Sequence, residues 1–387
     1  MPTLQPRRGH GGRRLGGSAT SIALALAVSA CNLFSNPPGP TASPSAGVGP
    51  TAGATATTRT TPAPNPQLVK NVTLVAAVAE PRDATPSGLT WKGVQDAGAK
   101  VGAAASLVEP ASNADLPSAV DKAAASDLAV VVTIGPDADP AVQAAAVAHP
   151  GAQFFEMGVA VPTTSPPNVH GIVFDEAEAG YLAGFVAGSF SAAGKIGFVG
   201  DNATDARSAN YASGFGNGAS QARTGIRVSV AYVGTSDSPD KGRTTAEGLV
   251  KAGVDVVSAL PDLSGIGALR EACGSKARLV AVDTDAWQTI PDVRSCLVTS
   301  VLKRYDVAVG GAIERLAAGQ TAPATIVEDV STGGIDVGDF HVDQPAGFDS
   351  QLASVVAALK RGPPRPTAAP SASSPATSPV SPTPSPT

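Results

Sequence analysis

Phe174-Asp175-Glu176-Ala177-Glu178-Ala179-Gly180-Tyr181-Leu182-Ala183-Gly184-Phe185-Val186-Ala187-Gly188 is the stretch from which the rest of this chain can be read. Just upstream, Gly171-Ile172-Val173-Phe174 is apolar, β-rich and too short for a helix, which predicts a buried strand. Asp175 and Glu176 then open a predicted helix, where acidic side chains suit the positive end of the helix dipole. Tyr181, Leu182, Phe185 and Val186 form one stripe of that helix. Small residues at Ala179, Ala183, Ala187 and Gly188 would let it lie very close to a sheet. Lys195-Ile196-Gly197-Phe198-Val199-Gly200 follows as the next strand. Strand, helix and strand in this order are the unit of a parallel α/β sheet.

The same alternation extends in both directions. Upstream, strands are predicted over 72–79, 106–108, 128–134, 153–157 and 171–174, with helices over 91–101, 116–126 and 140–148. Downstream, strands 195–199, 227–233, 254–259, 278–282 and 296–300 are interleaved with helices 209–223, 241–252 and 265–273, then helices 305–318 and 351–360 close the chain. Right-handed crossovers wind such units into doubly wound sheets. The expected fold is therefore α/β, with two doubly wound Rossmann-like lobes and an interlobe cleft. The first lobe is expected to take 68–173 plus 303–330 and the second 174–302 plus 331–361. Ligands of such sheets bind beyond the carboxyl ends of the strands, here between the lobes.

The two ends of the chain have a different composition. Arg7, Arg8, Arg13 and Arg14 precede an apolar run over 18–30, and Cys31 follows. This describes a secretory signal peptide over 1–30. Val28-Ser29-Ala30-Cys31 also fits a lipobox, with Cys31 acylated as the mature N-terminus; the alternative is an ordinary signal peptide with an incidental thiol. The run is too short for a membrane-spanning helix of ~20 apolar residues. Residues 31–67 are rich in Pro, Ser, Thr, Ala and Gly and are expected to be a disordered tether, and 362–387 a tail of the same kind. The net charge of −5 and the lack of a basic stripe argue against nucleic-acid binding. His10, His149, His170 and His341 show no metal-ligand spacing, and no cofactor is expected.

Several segments, taken in order, resemble the basic membrane protein family of ABC-transporter substrate-binding lipoproteins, also known as purine nucleoside receptor-like proteins. Beyond 174–188 they are Lys195 to Gly200, Ser213-Gly214-Phe215-Gly216-Asn217-Gly218, Ala231-Tyr232-Val233-Gly234 with Asp237, and Gly253-Val254-Asp255-Val256-Val257. Val282-Asp283-Thr284-Asp285 is similar to the family's Val-Asp-x-Asp-Gln signature, and Thr299-Ser300-Val301-Leu302-Lys303 to its Thr-Ser-x-x-Lys segment. The resemblance spans roughly 72–361 and implies a type I periplasmic binding protein fold. It also implies a monomer, lipid-anchored at the outer face of the cell membrane, that passes a small polar ligand to an ABC permease.

Within that resemblance, Asp283 and Lys303 are the positions that hold ribose hydroxyls, with Asp285 as the substitute if the register is shifted. A capping Asp and a surface Lys are the plainer reading of the same residues. Charge-assisted bonds from such a pair are roughly twice as strong as neutral ones. The base-reading half departs from the family pattern. The positions of its Asp, Phe and Asn upstream of Trp-x-Gly fall at Asp83, Pro86 and Ser87, before Trp91-Lys92-Gly93. Another family Asp falls at Gly158, the second stacking Phe at Ser236 and the signature Gln at Ala286. Trp287, Trp91 or Tyr211 are the candidates for a replacement aromatic surface, and packed core is the plainer reading of each. Cys273 ends one predicted helix and Cys296 begins the second strand after it, which places both at one pole; in an exported protein they are expected to form a structural disulfide, two separate buried thiols being the alternative.

Gly214-x-Gly216-x-Gly218 lacks the preceding strand of a dinucleotide fingerprint and reads as helix packing. The sequence contains no Gly-x-Ser-x-Gly elbow, Walker loop or His-Glu-x-x-His. The expected function is therefore non-enzymatic: solute capture for an importer, with a nucleoside or related sugar-containing molecule as ligand. A membrane-tethered ligand sensor, or an envelope interaction protein without a solute, is the alternative.

Overall fold

The computed structural model describes residues 68–76 and 84–362, and these belong to one compact unit. The predicted signal peptide, Cys31, the tether, Asp83 and nearly all of the C-terminal tail lie outside the described residues. In chain order the elements are β1 Asn71–Val75, α1 Pro86–Val101, β2 Ala104–Val108, α2 Leu116–Ala124, β3 Ala129–Ile134, α3 Asp139–Ala148, β4 Gln153–Met157, β5 Val169–Phe174, α4 Glu176–Phe190, β6 Lys195–Gly200 and α5 Ala206–Ala222. They continue with β7 Arg227–Tyr232, α6 Pro239–Lys251, β8 Val256–Ala259, α7 Leu263–Gly274, β9 Arg278–Asp283, α8 Ala286–Thr289, β10 Leu297–Lys303, α9 Tyr305–Ala317, β11 Thr325–Glu328, β12 Ile335–Val337 and α10 Phe348–Leu359.

Two six-stranded sheets result. The first has the order β11-β5-β4-β3-β1-β2 and is parallel throughout. The second has the order β12-β10-β9-β8-β6-β7 and is parallel except where β12 runs against β10. Parallel strands covered on both faces read as continuous apolar runs, and Ala129-Val130-Val131-Val132 in β3 is one, every residue buried. The chain passes from the first sheet to the second at Asp175, back after Lys303 and over again between Glu328 and Ile335. The strands share one buried apolar cluster that runs from Val72 and Val94 through Phe185 and Phe198 to Phe348.

Local chemistry sets the helix starts that matter for the site. Asp175 caps α4 by accepting from the Glu178 N–H at 3.0 Å. Asp205 caps α5 through Ser208 N, and Asp262 caps α7 through Gly265 N at 2.7 Å. The stripe expected on α4 is not a stripe: the helix is buried on nearly every side. Its glycines also approach a helix rather than only a sheet. A Cβ at Gly184 would stand 2.0 Å from the Phe215 carbonyl oxygen, and one at Gly214 2.0 Å from that of Ala177, so α4 and α5 meet backbone to backbone. Cys273 at the end of α7 and Cys296 just before β10 are joined by a disulfide, with 5.5 Å between their Cα atoms.

Candidate functional site

β9 and β10 are neighbours in the second sheet, and their last residues are Asp283 and Lys303. β9 is apolar and buried over 279–282 and β10 is buried over 297–301, with Thr299 and Ser300 among its apolar residues, so the final residue of each falls at the carboxyl edge. Asp283 ends β9 with φ 71°, in the left-handed region that an L-residue enters at a cost of roughly 1–2 kcal/mol. The Lys303 ammonium donates to Glu176 Oε1 at 2.7 Å and lies 2.8 Å from Asp283 Oδ1. Arg207, in the first turn of α5, donates from Nη2 to Asp283 Oδ2 at 3.2 Å, and its Nε lies 3.8 Å from Glu176 Oε1. Asp283, Lys303, Glu176 and Arg207 thus form a tetrad of two acids and two bases.

Three of the four are withdrawn from water: the side chains of Lys303, Asp283 and Glu176 are 3%, 5% and 15% exposed, against 38% for Arg207. Burial alone would push the Asp283 carboxyl up, but Lys303 and Arg207 outweigh it and hold the group below the ordinary carboxylate range. Glu176 goes the other way; its burial raises it, Lys303 offsets only part of this, and the Asp283 charge adds to the rise. The hydrogen bonding is incomplete. Asp283 Oδ1 has only the Lys303 ammonium, 2.8 Å away, and Glu176 Oε2 is a buried acceptor without a donor. Phe174 and Tyr305 flank the tetrad, their rings 4.9 Å apart, and Lys303 Nζ sits 5.8 Å from the Phe174 ring.

The other positions singled out from sequence do not join this group. Asp285 turns both carboxylate oxygens to the start of α8, accepting from Trp287 N and Gln288 Nε2 at 3.0 Å each. The Trp287 indole stacks on His341 at 4.0 Å, and Arg294 lies over it at 5.2 Å, so protein groups already engage its ring. Tyr211 is fully buried, with its hydroxyl 3.2 Å from that of Ser258, and is core rather than an open surface. Trp91 is partly buried against the main core. Ser87, in the first turn of α1, has its hydroxyl 3.1 Å from that of Thr85, and Ser236 lies exposed in the loop after β7. In sequence Glu176 is only a helix-opening acid and Arg207 carries no signal; tertiary proximity alone reveals them. Among the described residues, no group of three or more His, Cys, Asp or Glu could hold a metal ion.

Comparison with known proteins follows the same outline. The profile of the family described as "ABC transporter substrate-binding protein PnrA-like" matches residues 72–357. The chain belongs to this family. Basic membrane protein D of Borreliella burgdorferi is 34% identical over 143 residues, covering 36% of this chain and 41% of that protein. A CD4+ T-cell-stimulating antigen of Listeria innocua is 28% identical over 234 residues, covering 57% of this chain and 65% of the relative. The chain thus spans less than two thirds of the length of either relative. Among solved structures, an ABC transporter solute-binding protein from Conexibacter woesei superposes with a TM-score of 0.62 at 21% identity, covering 76% of this chain and 97% of that one. A transcriptional activator of the comK gene from Bacillus halodurans gives 0.65 at 17%, covering 76% and 98%. These likenesses show the type I binding-protein fold. Among the described residues no helix is long and apolar enough to cross a membrane.

Proposed function

We propose that the protein is a lipid-anchored receptor on the outer face of the cell membrane that captures a hydroxyl-bearing ligand, a nucleoside or related sugar-containing molecule, and presents it to an ABC permease as a monomer. The observation that carries this reading is the buried Lys303 ammonium set between the Asp283 and Glu176 carboxylates, with Glu176 Oε2 a buried oxygen that has no donor. A buried acceptor left unpaired costs about 1–3 kcal/mol, and a ligand hydroxyl supplies the missing donor. Lys303 is in turn a donor for hydroxyl oxygens, so vicinal hydroxyls satisfy both signs of the site. Capture involves no covalent step, and the ligand leaves unchanged. Closure of the lobes around it is the population shift that a permease reads. The anchor is Cys31, acylated after removal of 1–30.

The test is thermal unfolding and titration calorimetry with nucleosides, pentoses and hexoses. Ligand at 100 times its Kd adds about 2.7 kcal/mol, which raises the midpoint by several degrees in a chain of this size. The expected result is a shift with a ribose-containing or hexose ligand that disappears in Asp283→Asn. If no member of the panel shifts the protein, the hydroxyl-binding role is wrong. Mass spectrometry of the membrane fraction tests the anchor, and a mature N-terminus other than acylated Cys31 would refute it.

A further inference from the structure

Building on the hydroxyl-binding role of Asp283 and Lys303, we propose that Arg207 is a positioning residue of that site: it keeps the Asp283 carboxylate charged and aimed, so that the ligand is still captured in an acidic medium. The chain delivers Arg207 from a fixed base. β6 ends at Gly200, and a short loop leads into α5, where Arg207 is the second residue. Asp205 caps this helix by accepting from Ser208 N at 3.1 Å. The buried Ser208 hydroxyl donates to Asp201 Oδ1 and accepts from Asp201 N at 3.2 Å, which ties the first turn of α5 to the residue after β6. In the sheet β6 is two strands from β9, with β8 between them. The long Arg207 side chain spans that gap and donates from Nη2 to Asp283 Oδ2 at 3.2 Å.

The balance of charge says what this reach is for. Lys303 is a single ammonium between two carboxylates, 2.7 Å from Glu176 Oε1 and 2.8 Å from Asp283 Oδ1. Those three alone carry one net negative charge among side chains withdrawn from water. Two buried acids that share one base take up a proton more readily than either acid with a base of its own. Arg207 supplies the second positive charge, and a guanidinium does not lose its proton in a protein. Lys303 and Arg207 also meet Asp283 at different oxygens, Oδ1 and Oδ2, which fixes the plane of the carboxylate along with its charge.

The other titratable groups around this set do not replace Arg207. The Tyr305 phenol, at the start of α9, is pushed up by burial and stays neutral. Asp201 and Asp262, beyond the ends of β6 and β8, add negative charge near Arg207. An ionised carboxylate only accepts, whereas a protonated carboxyl has given up part of its capacity for ligand hydroxyls.

The test is Arg207→Met, which keeps an apolar stem and removes the charge. It is read beside wild type and Arg207→Lys by titration calorimetry with adenosine, ribose and glucose, from about pH 8 to about pH 5. With whichever probe binds wild type, Arg207→Met is expected to match it closely at the alkaline end. At the acid end it should bind roughly tenfold more weakly, because affinity falls with the fraction of protein in the competent form. Arg207→Lys should recover most of that loss. Thermal unfolding without ligand should run the other way. Arg207→Met is expected to be most destabilised at the alkaline end, where both carboxylates are ionised, and to approach wild type at the acid end, where a bound proton stands in for the missing base. A lost packing contact would give one deficit independent of pH in both measurements. A deficit of equal size across the range, or none, overturns the positioning role and leaves the hydroxyl site standing. If no probe binds wild type, the hydroxyl site falls and the role of Arg207 falls with it.

Discussion

Asp283 carries two demands at once, a left-handed backbone and a carboxylate held between two bases. Asn tolerates the left-handed region, so Asp283→Asn tests the charge with the backbone left alone, and the expected loss of ligand affinity is roughly 30- to 5000-fold, from about 2–5 kcal/mol for a truncated buried charge pair. Lys303→Met should act on folding as well as on binding. It leaves Glu176 and Asp283 with Arg207 alone, and removing one partner of a buried pair costs about 3–5 kcal/mol in denaturant midpoints. Glu156 supplies a pH signature far from these residues. Burial, and then the neighbouring Asp139, push its carboxyl from its ordinary value to about 8. With the folded value above the unfolded one, its contribution to stability is fully present below the unfolded value near 4.5 and is lost as pH rises through about 8. Unfolding from pH 5 to 9 should show a decline that Glu156→Gln flattens. At this scale Asp283 and Lys303 were legible because each stands in a segment that resembles a family signature, Val282 to Asp285 and Thr299 to Lys303. Glu176 and Arg207 were not, because a helix-opening acid and a lone Arg in a polar loop look the same whether or not a partner waits across the chain.

Periodicity placed the strands and most of the helices, because buried parallel strands and Ala-rich helices differ in length and branching. It misjudged α4, where a uniformly buried helix was read as a one-sided stripe. The cause lies outside that segment: the glycines of α5 remove the solvent-facing side by letting a second helix lie against it. Gly184→Ala therefore meets backbone rather than a yielding side chain. The expected destabilisation is about 1–3 kcal/mol or more, seen as a lower urea midpoint at unchanged slope. The Cys273–Cys296 bridge closes a segment with a sequence separation of 23. In the chain-entropy model a loop of that size contributes about 3 kcal/mol, so replacing both cysteines with Ala should lower the melting temperature by several degrees and leave ligand affinity nearly unchanged. The bridge lies at the amino end of β10, a full strand away from Lys303.

The tetrad also belongs to the connection between lobes. Glu176 is the first residue of α4, immediately after one crossing, and Lys303 the last before another, so their 2.7 Å bond ties two of the three crossings together. Glu178 ties in the third by accepting from Val330 N at 3.0 Å. A ligand that engages Lys303 thus acts on the hinge directly, and solution scattering should show a smaller radius of gyration when it is bound. The order of the crossings has a further consequence, for biosynthesis. The first sheet needs β11 along the edge of β5, and α1 needs α9 as its cover, yet both belong to residues 305–328. A growing chain therefore emerges with its earliest lobe unfinished, and pairs far apart in sequence must wait for one another. In pulsed hydrogen exchange during refolding, the amides of β5 should gain protection no earlier than those of β6 and β8. The lobe that is begun first is finished only after most of the second has been made.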